Sequence, residues 1–220
     1  MVLPLLPLYA RQYTLDKTET GYDNSTTGGN YLLGIYTLAG DFGSTSTAIE
    51  TLVHDAYGST FTEILTEDGT VSEGGNSNTG DYRREDWGDR SADFVQYGTS
   101  ADGSYHVTEG SAGTFDRTEF GNSATGGYSL VDTTDTGYGM TQTMDGGETW
   151  TQTATGDDTM TMVESGNRIT GGYTRLEIGV DDYTLTNNGT LTGGGFSQSV
   201  TGTDNYTTGW DGNQSQGTYE

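Results

Sequence analysis

Residues 171–196 read GGYTRLEIGVDDYTLTNNGTLTGGGF, and the rest of the chain is a set of variations on them. Tyr173 opens a short Thr-rich run, Tyr183 opens a second, and a Gly-rich passage leads to Phe196. The first aromatic recurs at Tyr13, Tyr36, Phe61, Tyr82, Tyr105, Tyr128, Trp150, Tyr173, Phe196 and Tyr219, with gaps of 23, 25, 21, 23, 23, 22, 23, 23 and 23 residues. A fixed period of this kind is the signature of a repeat architecture, in which each unit leans on its neighbours.

Within the units, residues alternate with a period of two, as in Tyr183-Thr184-Leu185-Thr186 and Phe196-Ser197-Gln198-Ser199-Val200. That is strand patterning, with aromatic and aliphatic residues on one face and Thr and Ser on the other. A second apolar residue stands ten positions after the first at Val71, Phe115, Tyr138, Met160, Tyr183 and Tyr206, which suggests two short strands per unit. Asp68-Gly69, Asp102-Gly103, Asp145-Gly146, Asn188-Gly189 and Asp211-Gly212 are dipeptides that accept positive φ and suit tight hairpin turns. A longer signature, G-N-x-x-[TQ]-G, occupies Gly75–Gly80, Gly121–Gly126, Gly166–Gly171 and Gly212–Gly217, at spacings of 46, 45 and 46. It pairs the 23-residue units into blocks of about 45 with four strands each. The expected fold is all-β, an array of tandem antiparallel hairpins, because short Asx-Gly turns favour hairpins over parallel coils. A β-solenoid ranks second and a small β-propeller third.

The period also divides the chain. Residues 1–12 form an apolar segment outside it, residues 13–60 hold two irregular units, and residues 61–220 are regular, all within one continuous domain. The second unit carries two extra residues, and Ile49, Leu52 and Val53 allow a helical turn that the strand context should override. The last unit stops at Gly217-Thr218-Tyr219-Glu220, the opening of a further repeat, so Tyr13 and Tyr219 mark the two ends of the array. An unfinished edge offers free N–H and C=O groups, and two explanations are expected to compete. Either the sequence is a piece of a longer array, or a neighbouring subunit completes the edge, giving end-to-end self-association and a filament. In a propeller the end would instead pair with residues 1–20 and close the ring.

Composition restricts the partners. Eight basic residues against 32 acidic ones give a net charge of −24, with one lysine, Lys17. Phosphate backbones and anionic membranes are therefore excluded as partners of the usual kind. Hydrophobic residues make up 30% of the chain, yet 15 Tyr, 6 Phe and 3 Trp in strict period argue for order rather than disorder. With no cysteine there are neither disulfides nor thiolate metal sites. The segment MVLPLLPLYAR has no basic leader region and is too short to cross a bilayer, so an extracellular or cell-surface location is an expectation from composition.

The units YTLTNNGTLTGGGFSQSVTGTDNYTT and TMTMVESGNRITGGYTRLEIGVDDYTLT resemble the hairpin-repeat tracts of large bacterial Rhs/YD-type surface and secreted proteins. The resemblance covers roughly residues 61–220 and rests on the Y-T-[LM]-T and T-G-[ND] patterns; Tyr22-Asp23 is the one tyrosine-aspartate dipeptide. It implies a non-catalytic β-strip that builds an extracellular structure.

Chemistry-bearing residues are few. His54 and His106 lack the Ser or Asp neighbours of a catalytic arrangement, and the acidic residues are spread too evenly to single out a glycosidase pair. Asp157-Asp158 and Asp181-Asp182 fall in corresponding positions, read as turns; stacking would align these carboxylates for calcium, the one cofactor in view. Aspartate also suits such turns by bonding the local backbone. Thr-x-Thr triplets at 141–143, 151–153, 159–161, 184–186 and 190–192 raise an ice-binding reading. Their sequence spacing does not continue at one register, so they read as β-branched strand filler. The expectation is a non-enzymatic structural protein forming a fibre or shell, with a carbohydrate- or ice-binding module as the alternative.

Overall fold

The computed structural model describes residues 11–54, 57–100, 103–213 and 218–219. The segment 1–10, most of the expected apolar N-terminus, lies outside them. The chain is all-β and antiparallel. It folds as β1 (Arg11–Asn30), β2 (Ile35–His54), β3 (Tyr57–Asn76), β4 (Asp81–Ser100), β5 (Gly103–Asn122), β6 (Gly127–Gly146), β7 (Thr149–Asn167), β8 (Gly172–Leu191), β9 (Gly194–Asn213) and a two-residue β10 (Thr218–Tyr219). Each strand pairs with the next in chain order, giving one open sheet of hairpins. The solenoid and propeller alternatives are thereby replaced by the hairpin array. The Ile49–Val53 stretch is strand, within β2.

One 23-residue period is one strand and its turn, and a 45-residue block is one long hairpin rather than four short strands. Strands β1 to β9 run 19 or 20 residues each. At a rise of about 3.4 Å per residue each is roughly 65 Å long. The dipeptide Asp68-Gly69 lies in the middle of β3, paired with Gly43 and Phe42 on one side and Asp89 and Gly88 on the other. The two extra residues of the second unit are no insertion. Tyr36 of β2, Ser59 of β3 and Tyr82 of β4 are successive 23-residue steps, and Phe61 stands two places further along the same face.

The two ends of the sheet differ. At one end, two-residue connections join β6 to β7 and β8 to β9. At the other, four-residue loops carry the G-N-x-x-x-G signature. Its asparagine closes the loop. Asn122 Oδ1 accepts the N–H groups of Ala124 (3.0 Å) and Thr125 (2.8 Å), and Asn167 Oδ1 those of Ile169 (2.9 Å) and Thr170 (3.0 Å). The last glycine then donates to the asparagine carbonyl, as Gly126 does to Asn122 at 2.8 Å, with φ of 79°. That left-handed conformation explains why glycine ends each loop. Neighbouring loops are also bonded: Ser123 N donates to Gly80 O and Arg168 N to Gly126 O, each at 2.8 Å, while Asn167 Nδ2 reaches Thr125 O at 2.9 Å. The loop row prolongs the sheet. A further copy, Gly29-Asn30-Tyr31-Leu32-Leu33-Gly34, joins β1 to β2, with Leu33 where the sequence pattern required Thr or Gln.

Most domains bury one layer against another. Here there is a single layer, and only Leu130 (5%) and Met162 (7%) are buried apolar side chains among the described residues. The sheet is held by its ladder and by side chains packed laterally over neighbouring strands.

Candidate functional surface: two faces of one sheet

Register assigns every side chain to one of two faces. On the first, Tyr36, Tyr82, Tyr128 and Tyr173 alternate with Gly75, Gly121, Gly166 and Gly212 along one row crossing the strands. Each ring covers the glycine opposite it. A Cβ on Gly121 would lie 2.4 Å from the Tyr82 hydroxyl oxygen, and one on Gly75 2.7 Å from that of Tyr36. The same pairing recurs at Tyr138 over Gly156, Tyr183 over Gly202 and Tyr206 over Gly179. Phe42 and Phe115 extend the device across four strands. They are separated by Gly69 and Gly88, yet their ring centroids are 6.4 Å apart. Glycine in a strand normally weakens it, and an aromatic laid over it restores the lost packing.

Beside the tyrosine row runs a charge row in which Arg84 lies between Glu73 and Glu119, and Arg175 is paired with Glu164. In the next row Arg117 lies between Asp86 and Asp132. Opposite charges directly across a sheet attract, so Arg84 and Arg117 each offset two acids and Arg175 one. The tyrosine hydroxyls close onto this row: Tyr36 donates to Glu73 (2.9 Å), Tyr128 to Glu164 (2.7 Å) and Tyr82 to Glu119. Arg168, from the loop after β7, pairs with Glu119 at 2.8 Å and stacks over Tyr128 at 4.6 Å. Burial, and then the bond to the glutamate, push the hydroxyls of Tyr36 and Tyr128 up to about 12. Glu119 is 6% exposed; burial alone would raise its carboxyl, but the bonds from Tyr82 and Arg168 hold it below its ordinary value.

The four aspartates singled out for calcium are mid-strand, not in turns. Asp158 and Asp181 oppose each other on the aromatic face, followed by Asp204 in β9. Asp157 and Asp182 oppose each other on the other face. The four therefore form two pairs separated by the sheet, and among the described residues no three acidic or histidine side chains gather to hold a metal. Burial, then the Asp181 charge, raises the Asp158 carboxyl above its ordinary value. Tyr138 donates to Asp181 at 2.9 Å, and Thr203 donates to Asp182. Of the array ends, Tyr13 is 55% exposed on β1, and Tyr219 pairs with Gly212 of β9.

The second face is rich in threonine. The triplets that seemed out of register in sequence fall side by side here: Thr141 opposes Thr153, Thr143 opposes Thr151, and Thr153 opposes Thr186. Antiparallel strands reverse the order of residues, so linear spacing hides this alignment. Thr153 and Thr186 share a hydroxyl hydrogen bond of 2.6 Å. An open groove of about 1160 Å³ crosses this face, floored by Gly110, Gly137 and Gly139 and bordered by Asp93, Asp157 and Asp182. Nearer the two-residue connections, the rings of Tyr97 and His106 stack with centroids 4.3 Å apart. His106 is thus packed on the sheet, with Thr143 Oγ1 donating to its carbonyl at 3.5 Å.

No known protein family and no curated protein matches this chain. Among solved structures it is similar to the ferric yersiniabactin uptake receptor FyuA from Yersinia pestis, at 9% identity and a TM-score of 0.47, over 94% of this chain and 44% of that one. The chain spans less than half of that receptor's length, and a likeness of this degree establishes neither a shared fold nor a shared activity.

Proposed function

We propose that this chain is a non-enzymatic, sheet-building module of a bacterial cell-surface or extracellular assembly, contributing to a fibre or shell. The observation that carries this reading is the single layer: the nine long strands bury almost no apolar core among the described residues, while one aromatic-glycine row runs unbroken across them from Gly29 of β1 to Gly212 of β9. Such a sheet gains most by adding neighbours, either strand to strand or face to face. The charge of −24 keeps it dispersed until it does so. Electron microscopy of the purified chain, with and without calcium to screen the carboxylates, tests it. Ribbons, filaments or extended sheets are expected at high protein concentration, and isolated monomers under all conditions contradict it.

A second reading rests on the threonine lattice. Hydroxyls spaced about 4.8 Å across strands and about 6.8 Å along them present a regular array to water or to a glycan. Thermal hysteresis and ice recrystallisation assays distinguish it. Activity lost in a Thr153→Val, Thr186→Val double variant supports ice binding, and inactivity of the parent protein removes it.

A further inference from the structure

We propose that the aromatic face carries a binding site for a short peptide, with Arg90 holding the peptide's carboxylate and Asp158 its ammonium group. This site is separate from the sheet-building reading and does not rest on it. Side chains from distant strands meet over this face. Phe42 and Phe115 stand three strands apart with ring centroids at 6.4 Å, and Arg168, from the loop after β7, reaches Glu119 of β5 at 2.8 Å. Between such bridges lies a cavity of about 520 Å³ in the middle of the sheet, bounded by Ser46 of β2 and by Asp158 of β7. Arg90 of β4 also lines it. The backbones of β4 and β7 are at most roughly 14 Å apart, and both side chains shorten the gap. An extended peptide of two or three residues, roughly 7–11 Å, spans what remains.

Register and charge define the two ends of the site. Arg90, Gly113, Thr136 and Asp158 form one row across β4 to β7, so only a glycine and a small hydroxyl residue separate the charged pair. Arg83, Arg84, Arg117, Arg168 and Arg175 all form ion pairs, whereas among the described residues Arg90 forms none, although Glu67 opposes it from β3. At the other end, Asp158 Oδ1 is cut off from solvent and accepts no hydrogen bond among the described residues. Buried polar atoms in folded proteins are nearly always bonded, so this one lacks a donor. Burial and then the Asp181 charge raise the Asp158 carboxyl, while Arg90 draws it down, so the two groups sense each other across the cavity. Asp181 and Asp204 continue the row beyond Asp158 and add to its pull on a cation. A lone anion would be repelled by these acids, and a lone cation would leave Arg90 unpaired. A ligand with opposite charges at its two ends satisfies both. The hydroxyls of Ser46, Ser111 and Thr136 line the same cavity and, as donors and acceptors alike, suit peptide N–H and C=O groups.

Titration calorimetry of the full chain with triglycine tests the site, in about 150 mM salt to screen the net charge of −24. N-acetyl-triglycine lacks the ammonium group and triglycine amide lacks the carboxylate. Triglycine is expected to bind saturably, and each capped form about tenfold more weakly. Arg90→Gln is expected to weaken triglycine about tenfold and to abolish its advantage over the amide. Asp158→Asn is expected to abolish its advantage over the acetylated form. Glu67→Gln, which removes the acid opposite Arg90, is expected to tighten binding. Far-UV circular dichroism checks that each variant keeps the sheet, and the capped peptides test both ends on the unaltered chain should a variant fail to fold. No saturable binding up to about 10 mM, equal affinity for capped and free peptide, or unchanged discrimination in a folded Arg90→Gln variant overturns the site. Binding without filaments in electron microscopy would retain the site and reject the sheet-building reading. Filaments without binding would do the reverse.

Discussion

At the scale of single residues, the balance between tyrosine and glycine decides the structure. A glycine under a ring is a socket, and filling it evicts the ring. Gly121→Val is expected to cost about 2–3 kcal/mol, as overpacking does, seen as a lower urea midpoint. The same substitution at Gly193, around which nothing lies within 4 Å, should cost far less. The hydroxyls add a pH dependence. Tyr36, Tyr128 and Tyr138 titrate at about 12 in the folded sheet against 10.0 for a free side chain. The folded state holds these protons more tightly, so their contribution is complete below pH 10 and is lost as the pH rises from 10 toward 12. Alkaline titration should show a late tyrosinate absorbance step coincident with loss of the β-sheet circular dichroism. Tyrosinate formation complete by pH 11 with the sheet intact would contradict it.

At the scale of elements, the sequence period reported the strand correctly and its length incorrectly. The 23-residue repeat, the antiparallel pairing and the grouping of units into 45-residue blocks were all legible. The halving of each strand was not, because glycine does two jobs here. Gly126 closes a loop with positive φ, whereas Gly69 is flat strand beneath Phe42. Both follow a polar residue in the sequence, and the Asp68-Gly69 dipeptide carries the same local signal as a turn. Only the register of neighbouring strands separates them. The same limit hid the threonine lattice and the Asp158-Asp181 pair, whose partners come from the reversed order of adjacent strands. The loop asparagines were visible as a motif, and their role follows from the bonds they make. Asn122→Ala removes two loop bonds and the Nδ2 bonds to Thr79 O (3.0 Å) and Asp81 (2.6 Å). A loss of about 1–3 kcal/mol is expected, with faster amide exchange at Ala124 and Thr125 and little change at the opposite end of the sheet. Uniform exchange along both ends would contradict a local role.

At the scale of the whole molecule, the account stands on one 23-residue period being one strand of a single open sheet. Everything proposed about assembly depends on that register. The absence of cysteine allows it to be read directly by engineered disulfides. Thr133 of β6 and Thr161 of β7 are cross-strand partners on the threonine face, whereas Thr133 and Thr141 lie eight residues apart on the same strand, roughly 27 Å. Half-length strands would fold β6 back on itself and bring the second pair together. The account predicts that Thr133→Cys with Thr161→Cys forms an intramolecular disulfide in high yield and that Thr133→Cys with Thr141→Cys does not. Linkage between 133 and 141, without linkage between 133 and 161, would contradict it.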